Sequence, residues 1–409
     1  MLKKVLVLFT LCAFTLSCSV FAADPIVVPD DQADAEGTVS FENINSRMHK
    51  KNLAILSCQE QLDRQAAFDR EKNYNDLVDM INSLADASWV LGNVTDVPPG
   101  VDATTAHSQA AELSKTISSL RTQLDSLKKE EYDKFYEELT RQMQTTMDQV
   151  ILGAETLYLN ILNCESQLSD LTRALTALDR SHEELELRHK LGQVSQISLR
   201  QLESSIASTK NQSDSLRLSM SNMKANLQSM LGETPNGQLL LTKTPMVTTE
   251  MLRALSYDRD LDSATTKSLT IFQANKAMDT AQETYDDMVK RYIAVPEHSA
   301  LIAAKHDYQV ATYTHTAAIQ SFQLSFHTLY SAVPAAQTAL TAAQAALDYQ
   351  DSACAIAEVK HKQGKLSTSA LLTAKEDREA AYAVLMRANI SLILAHNNYR
   401  AAVDHGIVK

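Results

Sequence analysis

The chain has 409 residues, of which 44% are hydrophobic and 22% charged, and its formal net charge is −12 at pH 7. Lysine and arginine form no cluster against this acidic background, so we predict no nucleic-acid partner. Only 9 glycines and 8 prolines occur. Most of them lie where helices would end, which is typical of a few very long helices rather than of several globular domains.

The first 22 residues have the pattern of a bacterial export signal. Lys3 and Lys4 precede an apolar run over 5–14, and a Val-Phe-Ala ending suits cleavage before Ala23. We therefore predict a signal peptide at 1–22 and a mature protein of the cell envelope, in the outer membrane or the periplasm. No later stretch is apolar over the ~20 residues that a membrane-spanning helix needs.

A lipoprotein is the less favoured alternative. Cys18 could accept a lipid, but Thr15 stands where such signals usually carry an aliphatic residue.

Helices placed between the glycine and proline breaks form two sets of three. Their predicted ranges are 38–91, 105–191 and 196–231, then 249–292, 298–363 and 367–404. Gly153 falls inside the second helix. Pro334 falls inside the fifth and is expected to kink or split it, because a proline within a helix loses a hydrogen bond.

A seven-residue segment occurs twice, as His-Lys-Leu-Gly-Gln-Val-Ser at 189–195 and His-Lys-Gln-Gly-Lys-Leu-Ser at 361–367. A glycine followed three residues later by serine suits a tight turn between helices, because glycine accepts a left-handed conformation and serine caps the next helix. The sequence is therefore a tandem duplication. The predicted domains are a flexible segment at 23–37, a first helical repeat at 38–237 with its tip at 191–195, and a second at 238–409 with its tip at 363–367.

Hydrophobic residues spaced three and four apart predict coiled-coil packing. In the second helix they are Leu157, Ile161, Cys164, Leu168, Leu171, Leu175 and Leu178, and in the last helix Ala381, Leu385, Ala388, Leu392, Ala395, Tyr399 and Ala402. The predicted fold class is all-α, with duplicated long helical hairpins that form a coiled-coil-like rod and little or no β-structure.

The sequence offers no pattern typical of catalysis or metal binding. Glycine-rich phosphate loops, nucleophile elbows and paired catalytic carboxylates do not occur. His182 and His189 are two turns apart, too far for easy co-ligation on one helix, and their heptad positions favour packed imidazoles. Three cysteines follow the signal, Cys58, Cys164 and Cys354, and this odd number implies no disulfide framework. We predict a protein that is not an enzyme and has no cofactor and no metal site.

Three segments together resemble the TolC-type outer-membrane efflux family. The sequence Val-Ser-Phe-Glu-Asn-Ile at 39–44 is similar to the family's opening helix. The stretch from Gly192 to Gly232 is similar to its first tip and the following helix, and Gly364-Lys365-Leu366-Ser367 to the second copy. The resemblance implies an efflux transmembrane transporter in which three protomers form a helical tunnel.

The resemblance also implies that the hairpin tips dock to a periplasmic adaptor, which connects them to an inner-membrane pump. The tip positions that match are Leu191, Gly192, Val194 and Ser195 in the first copy and Gly364, Leu366 and Ser367 in the second. A homotrimer is the implied assembly.

One departure leaves two hypotheses. Family members carry two membrane strands between the first and second helices of each repeat, whereas only short strand-like stretches occur here, at 89–91, 94–97 and 292–295. Membrane association is therefore left open. The protein is either a TolC-like exit-duct component that passes substrate without chemistry, or an exported coiled-coil structural or interaction protein of the envelope, lacking the barrel and any transport activity.

Overall fold

The structure is a computed structural model that describes residues 34–35, 37–93, 103–242 and 244–408. Within these residues the chain forms eleven α-helices, one short 3₁₀ helix at Phe41–Asn43 and two strands of two residues each. The predicted all-α fold class with long helical hairpins is therefore confirmed. The predicted signal peptide and most of the segment 23–37 lie outside the described residues.

The region predicted as one helix at 38–91 holds three helices. They are α1 (Ile44–Lys51), α2 (Leu53–Ala66) and α3 (Arg70–Gly92). The first break lies at Asn52, whose backbone is extended. Its side-chain oxygen accepts hydrogen bonds from the N–H groups of Ala54 and Ile55, at 3.0 and 3.1 Å, and so caps α2. A single predicted helix was wrong here because a capping side chain starts a new one.

The second predicted helix, at 105–191, is also divided. It consists of α4 (Ala103–Ser126) and α5 (Lys129–Lys190). At the break, the guanidinium of Arg70 donates a hydrogen bond of 3.0 Å to the carbonyl of Leu127. This carbonyl lies at the end of a helix, where it has no partner within the helix.

The tips and the second repeat follow the predicted order, with one further division. The helices are α6 (Gln196–Met230), α7 (Thr249–Arg253), α8 (Tyr257–Lys267), α9 (Leu269–Arg291), α10 (Ser299–Lys362) and α11 (Thr368–His405). The predicted helix at 249–292 is therefore three helices. Between α8 and α9 the extended Ser268 accepts a hydrogen bond from the N–H of Ile271, as Asn52 does for α2.

Pro334 does not split α10, which runs unbroken through it for 64 residues. The neighbouring Val333 is buried in the same cluster as Phe326 and Tyr399. Ala336 and Leu340, after the proline, pack against this cluster too, and this packing on both sides offsets the hydrogen bond that the proline removes. The helix α5 likewise continues through Gly153, against which the Met230 side chain packs.

The two repeats meet in a small parallel ladder. Strand β1 (Thr38–Val39) pairs with β2 (Leu240–Leu241), so that Thr38 lies opposite Leu240. Each strand lies near the start of one predicted repeat. The division of the chain at 237/238 remains a prediction.

The stretches with strand-like sequence are not strands where the structure describes them. Residues 89–91 belong to α3, residues 292–295 form a turn after α9, and residues 94–97 lie outside the described part. No helix among the described residues is both long enough and apolar enough to cross a membrane.

The described chain folds as two compact units, each with its own core. The first unit is residues 57–144. In it α3 packs against α4 through the buried Ile81, Ile117 and Leu120, and Phe68 stacks on Tyr132 with ring centroids 5.4 Å apart.

The second unit, the described residues between 34 and 56 and between 145 and 408, contains two larger hydrophobic clusters. The first joins α1 to α5 and α6, with Met48, Tyr158 and Leu227 fully buried. The second joins α8, α10 and α11 through Phe326 and Tyr399. Helix α11 contributes to both clusters, with Ile393 in the first, and therefore ties the two repeats together.

A row of polar contacts runs between α5 and α11. The partners are Arg180 with Glu376, Asp170 with Arg387, Glu155 with Asn397 and Asp148 with His405. Residue numbers rise along α5 as they fall along α11, so these helices are antiparallel. The first and second hairpins therefore lie side by side along these two helices.

Candidate functional site: the two hairpin tips

The two tips have the same backbone. Helix α5 ends in a turn in which Gly192 has a φ of 71°, and helix α10 ends in a turn in which Gly364 has a φ of 70°. The N–H of Gln193 donates to the carbonyl of Arg188 at 2.9 Å. With the bond from the Gly192 N–H to the His189 carbonyl, also 2.9 Å, this is a Schellman motif.

The second tip repeats these bonds with the same lengths. The N–H of Gly364 donates to the carbonyl of His361 at 2.9 Å, and that of Lys365 to the carbonyl of Lys360 at 2.9 Å. The predicted turns are thus present at both positions.

A serine starts the helix that follows each turn. Ser195 accepts a hydrogen bond from the Ser198 N–H at 3.2 Å, and Ser367 accepts one from the Ala370 N–H at 3.2 Å. Both serines are extended, with ψ of 155°. They act as the helix caps that the sequence predicts.

A histidine side chain closes each turn, and sequence reasoning missed this role. Nδ1 of His189 lies 3.0 Å from the carbonyl oxygen of Val194, and Nδ1 of His361 lies 2.9 Å from that of Leu366. Both imidazoles are half-buried. The signal was available, because each histidine stands three residues before the glycine in both copies, but its heptad position favoured packing.

The tip residues differ in what they expose. Leu191 is 64% exposed, as are its neighbours Leu187 at 60% and Ile197 at 70%. Val194 and Leu366 are half-buried instead, and their carbonyls accept the hydrogen bonds of the histidines. The first tip therefore presents an apolar surface made of the three exposed side chains.

Charged pairs surround this surface. Lys190 lies 2.8 Å from Glu186, and its hydrogen bond and charge lower the pKa of that carboxyl group. Arg188 also forms an ion pair with Glu184. Within each pair the two residues are four positions apart, as is common on helix surfaces, and the two pairs lie on different faces of α5.

The hairpins differ in how closely their helices pack. In the second, α10 and α11 are joined by an ion pair of 2.6 Å between Asp351 and Arg378 and by buried side chains such as Leu347 and Ala383. In the first, Lys224 of α6 pairs with Glu165 at 2.8 Å, and nearer the tip the two helices flank a groove of about 1040 Å³. The residues lining this groove include Gln167, Leu171, Ser204, Ser208, Asn211 and Ser215.

The described residues contain no group of three histidine, cysteine or acidic side chains arranged to hold a metal ion. The three cysteines in the part of the chain that the structure describes are free thiols. Cys58 and Cys354 are buried, whereas Cys164 is half-buried and burial raises its pKa. A raised pKa keeps the thiol protonated and unreactive.

No family model and no curated protein matches the sequence. Solved structures do match the fold. The outer-membrane channel OprN superposes with a TM-score of 0.52 at 11% identity, over 96% of this chain and 97% of that one. A membrane protein from Pseudomonas aeruginosa gives 0.52 at 9% identity, over 95% and 97%. CusC, studied for its folding and transmembrane channel formation, gives 0.50 at 11% identity, over 95% and 99%.

The chain has the fold of the TolC-type outer-membrane efflux channels. The resemblance seen in the sequence at the opening helix and the tips is thereby confirmed at the level of fold. Because the alignment covers nearly the full length of each neighbour, the TolC-type fold here includes both repeats and both hairpins.

Proposed function

We propose that the protein is a TolC-like exit-duct component of an efflux or secretion system. It would dock through its two hairpin tips to a periplasmic adaptor linked to an inner-membrane pump, and pass substrate without chemistry. The observation that supports this most directly is the pair of identically built tips on a fold shared with outer-membrane channels.

The proposal includes the mature chain's location and assembly. After loss of the segment 1–22, the protein would reside in the cell envelope as a homotrimer, with one helical repeat at 38–237 and the second at 238–409. Exposed apolar side chains along α10, among them Tyr349 and Ile356, support association with other copies. Channel proteins among the structural neighbours support a role without catalysis.

Photo-crosslinking in the natural host tests the docking role. Full-length protein carrying p-benzoyl-phenylalanine in place of Leu191 is irradiated in cells, and the adducts are identified by mass spectrometry. We expect an adduct with a periplasmic protein that contains a helical hairpin. The matched control places the same crosslinker at Leu218, an exposed leucine on α6 outside the tip. Equal labelling at both positions would refute docking through the tip.

A further inference from the structure

We propose that His189 and His361 are positioning residues of the two docking tips. Each imidazole would hold its turn in the shape that a partner recognises, without itself forming the main contact. This inference rests on the proposed docking function and adds to it the side chains that fix the geometry of the tips.

The hydrogen-bond geometry places a proton on Nδ1 of both rings. A carbonyl oxygen only accepts hydrogen bonds, so Nδ1 of each histidine must carry the proton that is donated to Val194 or Leu366. In the neutral ring this leaves Nε2 without a hydrogen. In both tips the donating atom is therefore the same, Nδ1.

The bond closes the part of the turn that backbone contacts leave open. The Schellman bonds tie Gly192 and Gln193 back to α5, and the cap of Ser195 belongs to α6. The carbonyl of Val194 lies between these two sets of contacts. By accepting a hydrogen bond from His189, this carbonyl links the last turn of α5 to the residue just before Ser195, the cap of α6.

The two copies keep the scaffold and change what they present. His, Lys, Gly and Ser are identical in the two segments, whereas the exposed Leu191 corresponds to the exposed Gln363. Two tips of equal shape thus differ at this position, where one presents an apolar side chain and the other a polar one, while the exposed Val359 keeps the apolar character of Leu187. A role in setting the shape explains why the histidine is repeated whereas Leu191 is replaced by Gln363.

Two substitutions separate the effect of the hydrogen bond to Val194 from the effect of side-chain size. In H189N the side-chain amide nitrogen can occupy the place of Nδ1 and donate to the Val194 carbonyl. In H189Q the amide is one bond further from the backbone and leaves that place without a donor. The control is H182N, which changes a histidine two turns earlier on the same helix, where it faces Glu203 at 3.5 Å.

Each variant is measured in full-length protein in two ways. Hydrogen exchange reports the opening of residues 191–195, and the yield of adduct from p-benzoyl-phenylalanine at Leu191 reports docking in cells. Loss of one hydrogen bond is expected to change an equilibrium by roughly 3- to 10-fold. We expect H189Q to speed exchange and to lower the adduct yield by this factor, with H189N and H182N close to the original protein.

The outcomes are distinguishable. Unchanged exchange and yield in H189Q would overturn the inference, and so would faster exchange with an unchanged yield, which would make the histidine a turn residue only. If the original protein gives no adduct at Leu191 above the Leu218 control, the proposed docking function fails and the positioning role fails with it. In the first two cases the docking function stands and the inference alone is lost.

Discussion

A single glycine in each tip carries a left-handed backbone that other residues adopt at a cost. An added Cβ at Gly192 or Gly364 would meet no atom within 4 Å, so only the φ of about 70° opposes substitution. Gly192→Ala is therefore expected to destabilise the hairpin by about 1 kcal/mol or more. Urea unfolding, with hydrogen exchange at the tip, measures this effect.

Gly153→Ala is the matched control, and its expected effect on stability is opposite to that of Gly192→Ala. Gly153 lies inside α5 with helical neighbours, and an added Cβ would meet the Met230 side chain at an ordinary contact distance of 3.9 Å. Alanine there is expected to stabilise by roughly 0.5–1 kcal/mol. Equal effects of the two substitutions would contradict the role assigned to the left-handed turn.

Histidine shows where reasoning from single residues stops. The positions of glycine and serine in the tips could be predicted, because each acts through its own backbone preference. The role of His189 could not, since its acceptor is a carbonyl five residues later that comes within 3.0 Å only once the turn has formed. The repeat singled out the histidine in the sequence but did not indicate which group it bonds.

Helix ends were predicted well at the tips and poorly within the first helix of each repeat. Gly192 and Gly364 stop a helix by themselves, whereas Asn52 and Ser268 are residues that also occur on helix surfaces. What makes Asn52 a break is tertiary. Its side-chain nitrogen donates to the carbonyl of Met230, 2.7 Å away at the end of α6, and this contact fixes the extended backbone.

The contact between α5 and α11 makes stability depend on pH. Glu155 of α5 accepts a hydrogen bond of 3.1 Å from Asn397, and burial raises its pKa to about 7, while the charge of His405 lowers it in part. The folded protein therefore binds a proton that the unfolded chain releases above its ordinary pKa of about 4.5. Stability is expected to fall as the pH rises from about 4.5 to 7, by about 3 kcal/mol in total.

The two histidines nearby act in different pH ranges. The hydrogen bond to Asp148 raises the pKa of His405, so its stabilisation also disappears as the pH rises. Burial lowers the pKa of His396 below its ordinary value of 6.5. The folded state therefore binds this proton less readily than the unfolded chain, and stability falls as the pH drops below about 6.5. Lys267, Arg400 and Asp404 complete the charged groups near this end of α11.

Glu155→Gln tests how much of this pH dependence of stability comes from the carboxyl group of Glu155. The amide keeps an acceptor for Asn397 and cannot ionise, so we expect a higher free energy of unfolding at pH 8 and a flatter dependence between pH 5 and 7. Urea titrations at four pH values measure both. A slope identical to that of the unsubstituted protein would show that Glu155 ionises freely in the folded state.

At the scale of the whole molecule, the fold leaves apolar surface that a single chain does not cover. Leu347 and Cys354 of α10 are buried, on the same helix face as Asp351, which pairs with Arg378 of α11. Tyr349 and Ile356, seven residues apart, are 69% and 56% exposed and lie on the other side of the helix. This second apolar strip follows from a long helix with two hydrophobic faces, which is typical of helices packed between neighbours.

Ile356→Glu is expected to disrupt the proposed trimer, because a charge placed in an apolar contact loses its hydration without gaining a partner. Native mass spectrometry of the mature protein should show trimers for the original chain and for Ile356→Leu, and mainly single chains for Ile356→Glu. Since the side chain is half exposed in one chain, the helical content by circular dichroism should be equal in all three. A trimer that survives Ile356→Glu would show that another surface joins the copies.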